Sequence, residues 1–298
     1  MSDRIAIRAT LRHESRSTAR TIEVVALRRP EVTLRRTDYR GFVIDERLLT
    51  QPFPWVVPKA PRLQAMICVS GRALWEDLVL QPFELALMRP EHVAFARLED
   101  FCFVDLEWVC DAATRDGIVR PARLGALERS KVEGLAAAIG DASRDQRELF
   151  GSTFSLLGQA GVPLGDLAVA GLQGGPTKRD ERISVALEAQ LANLATRADA
   201  TTLGELAALS PRQLQRALRD FSERYGVNSG NWRDVRNRLR LQIAAALLSV
   251  EEVSVSDIAA EVGYASAPAL ARAFAAIGFP TPTALRQALR DGSLPPRP

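Results

Sequence analysis

Four polar side chains in the C-terminal part of the chain have the types and spacing needed to contact the edges of DNA bases. Arg212, Gln215, Arg216 and Arg219 recur at i, i+3, i+4 and i+7, which places them on one face of a helix. A guanidinium can donate two hydrogen bonds to guanine O6 and N7, and a glutamine amide can pair with adenine N6 and N7. The opposite face of this helix is apolar: Leu214, Ala217, Leu218 and Phe221. A basic face that only meets solvent is the plainer alternative.

The residues around this helix favour the DNA-binding interpretation. Ser210 and Pro211 have the types typical of an N-cap and a first helical position, and Gly226 is typical of a helix end. A short helix is predicted just before it, over Thr202–Leu209. A short helix, a tight turn and a longer helix form the unit that places its second helix in the DNA major groove. We therefore add Ser210 and Gln213, at the start of the second helix, to the DNA-binding candidates.

Charge is concentrated in the same region. Between Arg212 and Arg240 the chain has eight arginines against three acidic residues, a local net charge of +5, whereas the whole chain is only +3. A basic segment of this kind is the electrostatic signature of nucleic-acid binding. A long helix predicted over Trp232–Val250 carries the second half of this charge, on Arg233, Arg236, Arg238 and Arg240.

The helix-turn-helix pattern occurs a second time, over Ile258–Ile277. Asp257-Ile-Ala-Ala-Glu-Val-Gly-Tyr264 is followed by Leu270-Ala-Arg-Ala-Phe274 and by Thr281-Pro282. This arrangement resembles the signature I-A-x-x-x-G-F … F-x-R-x-F … P of the AraC/XylS family of transcription regulators. The resemblance covers about the last 110 residues. It implies two helix-turn-helix subdomains, joined by the long helix, that enter successive major grooves of double-stranded DNA.

The second unit departs from the family pattern. Ala265-Ser-Ala-Pro-Ala269 stands where a polar helix start is common, and Ala275 and Ala276 stand where basic residues are typical. Ser266 and Arg272 are its DNA-binding candidates, with Arg272 on a phosphate or in a salt bridge to the joining helix. In the first unit, either Leu203-Gly204 or Leu206-Ala207 occupies the position where the family prefers leucine-alanine. We expect base reading by the first unit and positioning by the second.

Residues 22 to 110 are rich in short β-prone runs separated by prolines, which predicts a barrel or sandwich. In the last run, Cys102, Val104, Leu106 and Trp108 share one face, and we expect the face of Phe101 and Phe103 to line a cavity or meet solvent. The predicted fold class is α+β multidomain. It combines a β-rich domain over 1–177, which resembles the cupin-like sensing or dimerisation domain of the same family, with an all-α DNA-binding domain over 178–298, joined by a Gly/Pro-rich linker over 161–178.

The β-rich domain contains candidates for a small-molecule site. Arg72, Arg89 and His92 are polar groups that could anchor an anionic effector. Apolar side chains that could line its pocket, or simply form core, are Trp55, Trp75, Phe83, Phe101, Phe103 and Trp108.

Helical spacing is predicted from Arg123 onward, through Leu124, Leu127, Lys131, Leu135 and Ile139 and again through Phe150, Phe154 and Leu157. These helices pack on their own sheet or, by analogy with the family, form the seam of a homodimer.

The sequence argues against several other classes of protein. Only two histidines, His13 and His92, are present, and the three cysteines form no CxxC pair, so we expect no metal site, no cofactor and no catalysis. No apolar stretch is long enough to span a membrane, and we expect a cytoplasmic protein.

The prediction is a sequence-specific transcription regulator whose partners are double-stranded DNA and, by resemblance, RNA polymerase. The alternatives are a cupin-like enzyme or carrier with a helical interaction module, and a degenerate regulator that binds DNA weakly.

Overall fold

The computed structural model describes residues 5–14, 19–45, 61–75, 78–89, 96–165, 176–192, 200–225 and 232–291 of the 298-residue chain. Strands come first, two helices follow them, and the C-terminal part is helical. The expected combination of a β-rich domain and a helical domain is confirmed.

The N-terminal part forms one antiparallel sheet. Its strands are β1 (Ala6–Glu14), β2 (Ala19–Arg29), β3 (Val32–Asp45), β4 (Arg62–Trp75), β5 (Leu78–Leu80), β6 (Glu84–Met88), β7 (Ala96–Val109) and β8 (Ala122–Ala126). They pair in the order β1-β2-β3-β7-β4-β6-β8, with β5 on β4. Three of these strands have 14 residues, so the predicted short runs are parts of longer strands.

Both faces of the sheet are buried, which corrects the expectation that one of them meets a cavity or solvent. Strand alternation places Val104, Leu106 and Trp108 on one side, the back face, and Phe101 and Phe103 on the other, the front face. All five are at most 4% exposed. Because Trp108 lies on the face opposite Phe101 and Phe103, the predicted aromatic set does not line a single pocket.

The back face is covered by two helices that follow the sheet. These are α2 (Arg129–Gly140) and α3 (Gln146–Gln159), and a short helix α1 (Ala112–Gly117) precedes them. Val132, Ile139, Phe150 and Leu157 point into the core they share with the sheet. The predicted amphipathic pattern of both helices is therefore explained by packing on their own domain.

The helix predicted from Arg123 is wrong over residues 122–126. This segment is the strand β8, which pairs with β6 through Glu84–Ala126 and Leu85–Gly125. The unpaired backbone groups along the edge of β6 provide hydrogen bonds that the local sequence pattern does not reveal. The helix α2 begins only at Arg129.

Seven helices make up the described C-terminal part. They are α4 (Lys178–Leu191), α5 (Ala200–Ala207), α6 (Pro211–Tyr225), α7 (Trp232–Leu247), α8 (Val255–Glu261), α9 (Ala267–Ala276) and α10 (Pro282–Asp291). Thr177 caps α4, since its hydroxyl accepts from Asp180 N–H while the Asp180 carboxylate accepts from Thr177 N–H. The long joining helix predicted over Trp232–Val250 is confirmed as α7.

The front face of the sheet packs against the C-terminal helices. Contacts join α4 to β1, α6 to β2, and both α7 and α10 to β3. One continuous apolar cluster includes Ile7, Val24, Phe101 and Phe103 from the sheet together with buried residues of the helices. Leu241 to Leu247 of α7 are all buried. The helices therefore share a core with the sheet.

Candidate DNA-binding interface

The first helix-turn-helix unit is α5 and α6, and its turn fixes the sequence register. Leu209 N–H donates to the Gly204 carbonyl at 2.9 Å, and Ala208 has a φ of 52°. A Cβ at Gly204 would lie 3.0 Å from the Leu209 carbonyl oxygen, so the glycine permits a close approach of the turn. Leu203 is 1% exposed and Leu206 is 48% exposed. The structure thus chooses Leu203-Gly204 as the core-facing pair and rejects Leu206-Ala207.

The start of α6 is built by two of the predicted DNA-binding residues. Gln213 N–H donates to Ser210 Oγ at 3.4 Å, and Ser210 N–H donates to Gln213 Oε1 at 3.0 Å. This reciprocal pair is a capping box, which satisfies backbone donors that the helix itself cannot satisfy. The structure gives Ser210 and Gln213 a capping role, and their contact with DNA stays a prediction.

The other predicted residues of α6 share an exposed face. Arg212, Gln215, Arg216 and Arg219 are all exposed. None of these four side chains makes a hydrogen bond or ion pair within the part of the chain that the structure describes. The apolar face is buried through Leu214, Ala217, Leu218, Phe221 and Tyr225. Packing therefore fixes the helix while its arginine and glutamine groups stay available to a ligand.

The C-terminal end of α6 is bonded on two sides. Arg224 Nη1 lies 2.8 Å from Asp180 Oδ2 of α4, and the Tyr225 hydroxyl donates to the same oxygen at 3.2 Å. Burial and the neighbouring Asp180 carboxylate raise the pKa of Tyr225 to about 12. Arg28 of β2 donates from Nη1 to the Tyr225 carbonyl at 2.6 Å.

The joining helix α7 contributes less surface charge than its sequence indicates. Arg236 is 2% exposed, and its Nε donates to the Gln190 carbonyl at 3.3 Å. Burial, with a smaller contribution from Arg240, lowers the pKa of Arg236 to about 10. Arg240 lies over the ring of Tyr264, 5.9 Å from its centroid. The expected basic surface therefore does not include Arg236, because the core-facing side of α7 contains it; Arg240 is half-buried, and the side chains of Arg233 and Arg238 lie outside the described residues.

The second helix-turn-helix unit, α8 and α9, has the same internal construction. Ile258 and Ala259 of α8 are buried, as are Leu270 and Phe274 of α9. Ser266 caps α9 by accepting from Ala269 N–H at 3.3 Å. Pro268 lies in the first turn, where its missing N–H costs no hydrogen bond.

The exposed surface of α9 differs from that of α6. Pro268, Arg272, Ala275 and Ala276 are exposed there, so a single guanidinium stands among small apolar groups. Arg272 makes no ion pair within the described ranges, and the alternative of a salt bridge to the described part of α7 is not found. The hydroxyl of Ser266 is engaged in the cap.

The predicted effector residues are dispersed. Phe101 and Phe103 lie together on the buried front face, with ring centroids 4.9 Å apart, and Arg72 is exposed. Arg89 donates from Nε to the carbonyls of Arg115 and Ile118 at 3.1 and 2.7 Å, so its guanidinium holds the end of α1. The side chain of Trp75, together with His92 and Trp55, lies outside the described residues.

A buried polar group on the front face was missed from sequence. Asp105 is fully buried and accepts two hydrogen bonds from Arg35, at 2.9 and 2.8 Å, and one from Gln64 at 3.2 Å. Burial raises the pKa of Asp105, against the opposing effect of Arg35. The available signal was Asp105 itself, a charged residue in the middle of a strongly apolar strand.

Comparison with known proteins identifies the class of the C-terminal part. Residues 203–288 match the family model described as "Helix-turn-helix domain". These residues form an AraC-type helix-turn-helix domain, and the resemblance to AraC/XylS regulators is confirmed in this region. The protein is a DNA-binding transcription regulator.

Several solved structures align with the chain at low identity. A structure of ToxT from Vibrio cholerae with bound unsaturated fatty acid is 11% identical over 90% of this chain and 99% of that one, with a TM-score of 0.35. A DNA-binding transcriptional dual regulator from Escherichia coli K-12 is 20% identical over 39% and 96%, with a TM-score of 0.31. The AraC-like transcriptional activator CuxR is 13% identical over 80% and 94%, with a TM-score of 0.30. No curated protein matches the chain.

Two kinds of feature are absent from the described residues. They contain no group of three or more His, Cys, Asp or Glu side chains that could hold a metal ion. None of their helices is both long and apolar enough to cross a lipid bilayer.

Proposed function

We propose that this regulator recognises its DNA site mainly through α6. In this proposal Arg212, Gln215 and Arg216 contact base edges in the major groove, and Arg219 contacts a phosphate. The supporting observation is that the exposed face of α6 presents three guanidiniums and an amide that have no partner in the described structure, on a helix held by its buried face. An arginine with a bidentate contact to guanine contributes about 1–3 kcal/mol of discrimination against another base.

The second unit positions the protein on DNA. Arg272 is the one exposed cation on the described length of α9, and a lone guanidinium among alanines fits a phosphate contact better than base reading. Ser266 caps α9 and Gly263, with a φ of 82°, shapes the turn before it, and contact of Ser266 with DNA stays a prediction.

The remaining organisation belongs to the same proposal. Residues 1–177 form a sensing or dimerisation domain, and residues 178–298 form the DNA-binding domain, beginning at the capped start of α4. A homodimer that pairs α2 and α3 is proposed by analogy with the family, and a groove of about 600 Å³ lies between these two helices. An effector and contact with RNA polymerase are what the resemblance implies, and action in the cytoplasm and the lack of catalysis stay predictions from the sequence.

The experiment that tests this function is selection of DNA by the full-length protein. A pool of random double-stranded sequences is bound, recovered and sequenced over several rounds. The expected result is an enriched motif with strong base preferences over the segment that α6 contacts and weaker preferences elsewhere.

The matched control for the selection is the Arg212→Ala/Arg216→Ala double variant. Both side chains are exposed, so the variant keeps the fold, and we expect it to enrich no such motif. If the native chain enriches no motif, or if the double variant enriches the same one, the proposed function is wrong.

A further inference from the structure

A buried arginine of the sheet domain holds the end of the principal DNA-binding helix. Arg28 lies on β2, is 4% exposed, and donates from Nη1 to the carbonyl of Tyr225 at 2.6 Å. Tyr225 is the last residue of α6, where carbonyls have no helical donor and carry the negative end of the helix dipole. A guanidinium at this point both supplies the missing donor and neutralises the helix end.

A second connection ties the same helix end to the sheet through α4. Arg224 and the hydroxyl of Tyr225 both contact Asp180 Oδ2. The Asp180 carboxylate also caps the start of α4, and one turn later Ser184 Oγ donates to the carbonyl of Ala6 on β1. The C-terminal end of α6 is therefore held directly by β2 and indirectly by β1.

Burying the charge of Arg28 costs free energy, which indicates that this side chain serves to fix a geometry. Loss of water on burial lowers the pKa of Arg28 well below its ordinary value, with Glu107 and Asp105 opposing that effect and Arg35 and Arg62 adding to it. An apolar side chain would occupy this position at lower cost. Buried ionic groups in several proteins set a unique geometry rather than add stability, and the bond from Arg28 to a helix end is of that type.

A small rotation of α6 at its C-terminal end produces a large displacement of its N-terminal end. α6 has 15 residues, so its length is about 21 Å at a rise of about 1.5 Å per residue. A tilt of about 10° at Tyr225 then moves the N-terminal turn by about 3.6 Å. A shift of this size breaks a hydrogen bond, whose donor and acceptor must stay about 3 Å apart. Arg212 and Gln215 lie in that N-terminal part.

We propose that Arg28 is a positioning residue for DNA recognition: by bonding the Tyr225 carbonyl it sets the orientation of α6, so the N-terminal sheet contributes to base discrimination without contacting DNA. This inference rests on the proposed function of α6. It predicts that changes at Arg28 alter the preference between DNA sequences and leave non-specific affinity nearly unchanged, because the arginines that contact phosphates stay on the surface.

The test uses the full chain and two DNA probes. One is the sequence enriched by selection with the native protein, and the other is a scrambled sequence of the same composition. Fluorescence anisotropy gives the ratio of the two affinities for the native chain and for Arg28→Met, which keeps the length of the side chain but donates no hydrogen bond. We expect the ratio to fall at least tenfold in Arg28→Met, with affinity for scrambled DNA within twofold of the native value.

Two further variants separate positioning from folding. Arg28→Lys keeps a charged donor without the guanidinium geometry, and we expect its ratio to fall by about threefold, between the native chain and Arg28→Met. Should Arg28→Met not fold, this loss in Arg28→Lys supports the proposal and an unchanged ratio overturns it. Ser184→Ala removes only the indirect link to β1, and we expect it to lower the ratio less than Arg28→Met does. Circular dichroism at the assay temperature confirms that each variant is folded.

The outcomes distinguish this inference from the function it rests on. A native protein with no preference between the probes overturns the proposed function and this inference together. A native protein with a clear preference that a folded Arg28→Met variant retains overturns only the role of Arg28, even if that variant unfolds at a lower urea concentration.

Discussion

The two helix-turn-helix units of this protein are alike inside and different outside. In each, the first helix has a buried pair and the second has a buried aromatic residue: Leu203, Gly204 and Phe221 in one unit, and Ile258, Ala259 and Phe274 in the other. On the surface, α6 presents three arginines and a glutamine, whereas α9 presents alanines, Pro268 and one arginine.

This difference shows that the fold and the ligand contacts depend on separate sets of residues. The buried positions of the second unit keep the types and packing that a helix-turn-helix requires, so the loss of polar side chains from its surface does not disturb its structure. A fold alone therefore does not establish that a unit reads DNA bases, and the exposed residues have to be considered for each unit.

The largest effect that we expect is a loss of stability, and it tests whether the two helix-turn-helix units have equally well packed cores. Phe221 and Phe274 are both at most 1% exposed, and we expect Phe221→Ala and Phe274→Ala each to lower the free energy of unfolding by about 3–5 kcal/mol. Urea denaturation measures both. A much smaller effect at Phe274 would show that the second unit is loosely packed, which contradicts the equal construction of the two units.

The next effect tests the surface of α6. We expect Arg216→Ala to weaken binding to the selected DNA by about tenfold to a hundredfold and to relax the preference at one base pair, since a bidentate base contact contributes about 1–3 kcal/mol. Stability should be unchanged because Arg216 is exposed. Anisotropy titration against single-base variants of the site measures both quantities, and an unaltered base preference would remove Arg216 from the reading face.

Two glutamines of α6 provide a matched pair for a smaller effect. Gln213 completes the capping box with Ser210, so we expect Gln213→Ala to cost about 0.3–1.5 kcal/mol of stability and to change base preference less than Gln215→Ala does. We expect the exposed Gln215→Ala to do the reverse. Thermal unfolding and the same DNA titrations are the measurements. If Gln213→Ala changed base preference more than Gln215→Ala, the assignment of cap and contact would be inverted.

The smallest effect is expected on α9. Loss of one phosphate contact in Arg272→Ala should weaken binding by a few-fold on all sequences and reduce the magnitude of the slope of log affinity against log salt by about 1. Titrations at several salt concentrations determine this slope. A change of base preference as large as that of Arg216→Ala would refute the unequal roles of the two units.

The local parts of this structure could be predicted from sequence. The helices of both units, the cap at Ser210 and the exposed face of α6 follow from spacings of three and four residues and from helix-start signals. The sequence left two registers open for the first unit, because only the approach of the turn to Gly204 shows which pair is buried.

The parts that could not be predicted depend on contacts between distant segments. Strand β8 forms because β6 has an open edge, and the front face is buried because helices more than 70 residues further along the chain pack on it. Arg28 and Tyr225 are 197 residues apart, and nothing in the pattern around either residue indicates the other. Arg236 counts toward the basic charge of the sequence, but its side chain is buried. A count of charges does not show which side chains point into the core.

The measurement that tests the central claim most directly is an anisotropy titration of the full-length protein. The probes are DNA from upstream of its own gene and a scrambled control, each at several salt concentrations. We expect a preference for the upstream fragment in the range of about 10³-fold near ~150 mM salt, which is typical of specific binding. No binding to either probe at low salt would contradict it.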